Sequence, residues 1–104
     1  MADYTASQIT KYAIAYLTAK GFYVWRQNQI RVPGRAFIGE LGLSDIIGFE
    51  RETGIAVYCE VKTNSDKLSQ YQITFMNRAL KNGCKVFLAK QKENLITLEA
   101  YESL

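Results

Sequence analysis

Two short apolar stretches separated by a turn restrict the fold of this chain more than any other part of it. Residues Ile55 to Lys62 alternate in type, so that successive side chains point to opposite faces of a strand. Residues Asp45 to Glu50 form a second stretch, and Thr53-Gly54 between them is typical of a tight turn. The pattern predicts a β-hairpin with its apolar core on one face and polar side chains on the other.

The predicted hairpin places two acidic side chains opposite each other. A turn centred on Glu52 and Thr53 places Asp45 directly opposite Glu60, and Lys62 shares their face. Like charges opposed across two strands destabilise a sheet by about 0.2–1 kcal/mol. Folding alone gives little reason for such a pair, so we expect a divalent cation to hold the two carboxylates together.

The rest of the chain predicts two helices and three more strands. Apolar residues at helical spacing follow Thr5 or Ser7 as the cap and end at Gly21. Ser69 is expected to cap a second helix, with Gln72 at the third helical position. Further strands are expected at 22–26, 84–89 and 95–98, with a long polar stretch at 28–43 and a second helix ending near 82. The predicted fold class is α/β, a mixed sheet flanked by helices in the order α-β-β-β-α-β-β, as one domain over residues 1–104.

Composition excludes several classes of protein. The chain has 104 residues, of which 48% are hydrophobic, and its net charge of +3 permits a nucleic-acid partner without requiring one. It has no histidine and two cysteines, Cys59 and Cys84, too few for a zinc cluster, and we expect both to be buried free thiols. No stretch is long enough for a membrane span, and the start of the chain is unlike a signal peptide. We expect a soluble, intracellular (cytoplasmic) protein without an organic cofactor.

The charged face of the hairpin suits one kind of chemistry. The carboxylates of Asp45 and Glu60, with the backbone carbonyl of Val61 between the two strand-face side chains, offer oxygen ligands to Mg²⁺ or Mn²⁺. Such an ion activates water and neutralises a phosphate, while Lys62 assists the water or stabilises the transition state. The pattern predicts phosphodiester hydrolysis, and the alternative for an isolated Glu-x-Lys is a solvated sheet face.

Three motifs resemble a known family, the PD-(D/E)XK nucleases, and within them the virus-type replication-repair nuclease (VRR-NUC) domain. They are Gly42-Leu-Ser-Asp-Ile-Ile-Gly48, Glu60-Val-Lys-Thr63 and Leu68-Ser-x-x-Gln72. The resemblance implies a restriction-endonuclease-like core with Asp45 and Glu60 as metal ligands, Lys62 as the catalytic lysine and Gln72 as a supporting polar residue. It also implies a DNA endonuclease for Holliday junctions or flaps in replication, repair or recombination, a homodimer, and a phage or bacterial origin.

The chain departs from the family at the first helix, where an acidic residue usually completes the metal shell. Gln8 is the nearest candidate there, and Glu40 in the polar stretch is the alternative. A glutamine oxygen can bind a metal or its water but brings no charge. Gln72 likewise has two explanations, because a helix cap accounts for it as well as a catalytic role does.

Several basic or polar residues are candidates for phosphate contacts, although solvated surface charge explains each one equally well. They are Arg26, Asn28, Arg31, Arg35 and Lys67, of which the first two also resemble an Arg-x-Asn of the family. Two other functions remain open: a non-catalytic nucleic-acid-binding module of the same fold, and an interaction subunit. The first predicts binding without cutting, and the second predicts that loss of Asp45 or Glu60 leaves function unchanged.

Overall fold

A computed structural model describes residues 3–27 and 44–102 as one five-stranded mixed sheet with a helix on each face. The elements are α1 (Ala6–Ala19), β1 (Phe22–Arg26), β2 (Ile46–Glu50), β3 (Ala56–Lys62), α2 (Gln70–Lys81), β4 (Lys85–Lys92) and β5 (Leu95–Ala100). The strands lie in the order in which they follow one another along the chain, and β3–β4 is the one parallel pair among them. A parallel pair needs a crossover, which α2 provides. The predicted fold class and element order are confirmed.

Each helix begins at a capping box. In α1 the cap is Thr5, whose hydroxyl accepts a hydrogen bond from the Gln8 backbone N–H (3.1 Å). The side-chain oxygen of Gln8 in turn accepts one from the Thr5 N–H (2.8 Å). Ser7, the alternative cap, lies inside the helix. Ser69 and Gln72 form the same reciprocal pair at the start of α2, as the sequence predicted.

The hairpin has the predicted register. Ile46 pairs with Cys59, and the same offset carried one residue further brings Asp45 opposite Glu60. The prediction that β3 begins at Ile55 was wrong, because the strand starts at Ala56 and Ile55 is exposed. Both cysteines are free thiols, but only Cys59 is fully buried.

Apolar side chains cover both faces of the sheet, whereas the sequence predicted a core on one face only. The α1 face is closed by a cluster in which β3 contributes Val57, Cys59 and Val61. On the other face α2 packs over the sheet around Met76, and Tyr58 contacts the ring of Phe75 edge to face with centroids 4.9 Å apart. The hairpin face that was expected to carry the charge cluster of Asp45, Glu60 and Lys62 is therefore partly covered by a helix. Neither of the two described helices is long and apolar enough to cross a membrane.

Candidate active site

The two opposed carboxylates lie at the centre of the sheet, because β3 is its middle strand. Asp45 directly precedes β2, and its Oδ2 accepts a hydrogen bond from the Val61 N–H (2.9 Å). This bond ties the start of β2 to β3 where the ladder of backbone hydrogen bonds ends. It fixes one oxygen of Asp45 beside the strand that carries Glu60 and Lys62.

Glu60 is buried, with 1% of its surface exposed, although a strand residue of this type is usually solvated. Its Oε1 accepts a hydrogen bond of 3.0 Å from Nε2 of Gln72 at the start of α2. Its Oε2 has no hydrogen-bond partner in the described part of the chain, and neither does the buried hydroxyl of Ser44. A buried oxygen without a partner is costly in a protein interior and points to a missing ligand.

Burial raises the pKa of Glu60 from its ordinary value near 4.5 to about 9. The nearby negative charge of the Asp45 carboxylate adds to this rise in the pKa of Glu60, while the Lys62 ammonium opposes it. At neutral pH the side chain of Glu60 therefore carries a proton unless a cation takes its place.

Lys62 lies two residues beyond Glu60 on the same face of β3 and is half-buried. Its ammonium forms no salt bridge with any carboxylate of residues 3–27 or 44–102. It is close enough to the pair to lower the pKa of Glu60. The site thus combines two carboxylates with one ammonium that no described acid neutralises.

Gln72 makes both a capping contact and a contact with the acid pair, the two roles that the sequence left open. Its Oε1 accepts the hydrogen bond from the Ser69 N–H (2.8 Å) that completes the cap, while its Nε2 binds Glu60. Gln8 occupies the equivalent position in α1 and is exposed, and within the described residues it forms the hydrogen bonds of the α1 cap. Its role as a metal-shell residue stays a prediction.

The residues predicted to bind nucleic acid are only partly within the described structure. Arg26 is exposed at the end of β1, and it pairs with Ile46, a residue of the α1-side cluster, so its strand position faces away from Asp45 and Glu60. Lys67 is exposed just before α2. The other candidates, which are Asn28, Arg31 and Arg35, lie outside the described residues, as does Glu40, the alternative residue for the metal shell. These roles stay predictions.

Ser44 is the site residue whose role sequence reasoning did not identify, although it stands in the Gly-x-x-Asp motif immediately before Asp45. Within the described ranges no group of three or more His, Cys, Asp or Glu side chains is placed to hold a metal ion. The residues nevertheless fit a single hard cation, because two carboxylates face one another and one buried oxygen has no partner. The thiol of Cys59 is no competitor as a ligand, since burial raises its pKa to about 12.

The fold is that of the PD-(D/E)XK superfamily of nucleases, to which the VRR-NUC domain belongs. Residues 38–93 match the family model of the VRR-NUC domain, which is more than half of the chain, and the chain belongs to this family. A search of curated proteins gives no significant match.

Two solved structures have a similar fold. One is described as a VRR_NUC domain, with 25% sequence identity, a TM-score of 0.53 and coverage of 80% of this chain and 81% of that one. The other is Hjc of Archaeoglobus fulgidus, a Holliday junction resolvase from an archaeal hyperthermophile. It has 17% identity and a TM-score of 0.56, with coverage of 91% of this chain and 74% of that one, and it supports the fold alone.

Proposed function

We propose that this protein is a divalent-metal-dependent endonuclease that hydrolyses phosphodiester bonds of DNA. The observation that carries the proposal is the buried Glu60, which lies opposite Asp45 on the central strands and whose Oε2 has no hydrogen-bond partner among residues 3–27 and 44–102. A solvated structural face does not account for a buried glutamate opposite a second acid, an arrangement that destabilises the apo protein at neutral pH. Membership of a nuclease family also supports phosphodiester hydrolysis.

The proposed ligands are the carboxylates of Asp45 and Glu60 and the backbone carbonyl of Val61. In a strand the N–H and C=O of one residue point toward the same neighbouring strand. Because the Val61 N–H is bonded to Asp45, its carbonyl is expected on the same side. Mg²⁺ or Mn²⁺ bound there supplies an activated water and neutralises charge on the scissile phosphate.

The other residues of the site position the carboxylates and balance the charge. Lys62 stabilises the extra negative charge on the phosphate in the transition state and assists the attacking water. Gln72 holds one oxygen of Glu60, which leaves Oε2 directed to the cation. Gln8 or Glu40 completes the shell in this proposal, and Arg26, Asn28, Arg31, Arg35 and Lys67 contact phosphates of the backbone.

The proposed substrate is branched DNA, either a Holliday junction or a flap. The proposal follows by analogy from Hjc, a protein of the same fold that is a Holliday junction resolvase. We further propose a homodimer, because two sites related by a two-fold axis can cut two strands symmetrically. Light scattering after gel filtration measures the oligomeric state directly.

The test is cleavage of labelled four-way junction, flap, duplex and single-stranded DNA with Mg²⁺, Mn²⁺ or EDTA. Wild type is compared with Lys62→Ala and with Lys11→Ala, which removes an exposed lysine of α1 on the opposite face of the sheet. We expect metal-dependent cutting that Lys62→Ala loses and Lys11→Ala keeps. Equal cutting by both variants would overturn the role given to Lys62.

A second candidate function is a nucleic-acid-binding module without catalysis. Its support is that the described part of the chain offers two acids to a metal and no third. If the protein is such a module, we expect tight binding of junction DNA and no cutting with either Mg²⁺ or Mn²⁺. In that event Gln8→Glu, which supplies an acid on α1, is the informative variant.

A further inference from the structure

Three aromatic side chains lie exposed on the sheet face that also carries the acid pair. Tyr23 and Trp25 of β1 and Phe49 of β2 are 55%, 43% and 40% exposed, and we call them the aromatic platform. Tyr23 stacks on Phe49 with ring centroids 5.5 Å apart and meets Trp25 edge to face at 5.8 Å. The rings hold one another in place, so a ligand that stacks on them need not order them.

The register places the platform next to the site. Trp25 pairs with Ile47, which is two residues beyond Asp45 and therefore on the same face of β2. Tyr23 pairs with Phe49, two residues further along. Successive rows on one face are about 7 Å apart, so the platform begins one row from the carboxylates. A strand bound with a phosphate at the acid pair can extend directly over these rings.

The helix beside this face is basic. Over its whole length α2 carries Arg78 and Lys81 and no acidic residue. Tyr58, which pairs with Ile47, lines a cavity of about 190 Å³ whose wall also includes Arg78 and Asn82. Positive charge next to exposed rings is the combination used by proteins that bind single-stranded nucleic acid.

The platform is small for an interface between two proteins. Aromatic side chains have about 150–250 Å² of surface each, so three that are about half exposed offer roughly 200–350 Å². A stable protein–protein contact needs about 800 Å² from each partner. The faces of one or two nucleobases match the smaller area.

We propose that the aromatic platform binds unpaired nucleobases by stacking, next to the phosphate that is cut. This inference rests on the proposed function and narrows its substrate to DNA with unpaired nucleotides beside the cleavage point. Stacking on π-faces discriminates little between bases, so the contact selects unpaired DNA without reading its sequence.

Trp25 is the only tryptophan of the chain, and its fluorescence therefore reports on the platform alone. In EDTA we would titrate the protein with a short oligothymidylate and with an abasic strand of equal length and charge. We expect the oligothymidylate to quench Trp25 and to bind about 5- to 150-fold more tightly than the abasic strand, as stacking of one base predicts. Equal quenching and affinity for the two strands would overturn the inference.

Variants separate stacking from loss of fold. Trp25→Leu and Phe49→Leu keep apolar area and remove a ring, and anisotropy of a labelled oligothymidylate measures their binding. We expect both to lose affinity while Tyr12→Leu, which removes an exposed ring of α1, does not. Circular dichroism confirms that each variant is folded, and a folded Trp25→Leu with unchanged affinity contradicts the platform's role. Trp25 emission that shifts with protein concentration alone would assign the rings to a second copy and overturn the inference.

Cleavage of a fully paired junction in Mg²⁺ distinguishes this inference from the function on which it rests. Lys62-dependent cutting without a base-dependent change at Trp25 overturns the platform and leaves the nuclease. A base-dependent change at Trp25 without cutting of any substrate supports base binding by the platform while the nuclease proposal fails.

Discussion

Nε2 of Gln72 donates a hydrogen bond of 3.0 Å to Oε1 of Glu60, which joins the first turn of α2 to the central strand of the sheet. The other end of the same amide caps α2 through the Ser69 N–H. One side chain thus sets where the helix begins and which oxygen of the buried carboxyl remains available.

Gln72→Glu tests that double role. Glutamate also completes a capping box, so the cap is retained, but the N–H donor is lost and a third carboxyl group is placed beside Glu60. In EDTA at pH 8 we expect the free energy of unfolding, measured with urea, to fall by about 1–3 kcal/mol.

Gln8→Glu is the matched control, because Gln8 has the same position in the cap of α1 and, among the described residues, forms hydrogen bonds with that cap alone. We expect a change within about 0.5 kcal/mol. Equal losses in the two variants would mean that the contact of Gln72 with Glu60 adds nothing to stability.

The raised pKa of Glu60 makes the stability of the apo protein depend on pH. Between about pH 4.5 and 9 the folded state holds a proton that the unfolded chain releases, so stability falls as pH rises. In EDTA we expect a loss of roughly 2–4 kcal/mol between pH 5 and 8, measured by urea unfolding. Below pH 4.5 the trend reverses, because Glu50 and Asp66 have lowered pKa values and their stabilisation is lost as they take up protons.

Glu60→Gln is the control for this pH dependence. The amide has a similar shape and does not ionise, so the decline above pH 5 should largely disappear and the variant should be more stable than wild type at pH 8. Mn²⁺ should raise the melting temperature of wild type at pH 8 and have little effect on the variant. An unchanged pH profile in Glu60→Gln would show that another group causes the decline.

Asp45→Asn separates an enzyme from an interaction subunit. Asparagine keeps an oxygen for the Val61 N–H and removes the charge that faces Glu60. We expect loss of metal-dependent cleavage together with a gain of about 1 kcal/mol in stability at pH 8. Retained cleavage would remove Asp45 from the proposed metal site.

The sequence predicted the hairpin register and the capping box of α2 because these are set by residues a few positions apart, whereas for α1 it left the cap open between Thr5 and Ser7. Burial of Glu60 was not predictable in this way, since it depends on α2 packing over β3 from a later part of the chain. The same holds for the aromatic platform: Tyr23 and Trp25 are typical strand residues, and their exposure follows from the limited area that α2 covers. Which part of a sheet face is buried depends on tertiary packing, and the alternation of residues along one strand does not predict it.

Gly48, the last residue of the Gly-x-x-Asp-x-x-Gly motif, has a structural reason to be glycine. A Cβ there would collide with the backbone oxygen of Tyr23 and come within 2.7 Å of the Val24 Cα. We expect Gly48→Ala to cost at least about 3 kcal/mol of unfolding free energy, because the β1 backbone must move.

Gly54→Ala is the comparison for Gly48→Ala. Gly54 has a positive φ of 75° but open space around it, so only backbone strain of about 1–2 kcal/mol is expected. A smaller loss for Gly48→Ala than for Gly54→Ala, measured by thermal or urea unfolding, would contradict the close approach of β1.

The parallel pairing of β3 with β4 also determines when the site is assembled during folding. The hairpin that bears Asp45 and Glu60 is local and can form early, whereas β3 meets β4 only after the connecting helix has closed a loop of more than twenty residues. A nascent chain that ends before β4 therefore holds both acids without the scaffold that buries them. We expect a fragment truncated after residue 82 to lack Mn²⁺-dependent stabilisation, so that metal binding reports completion of the fold.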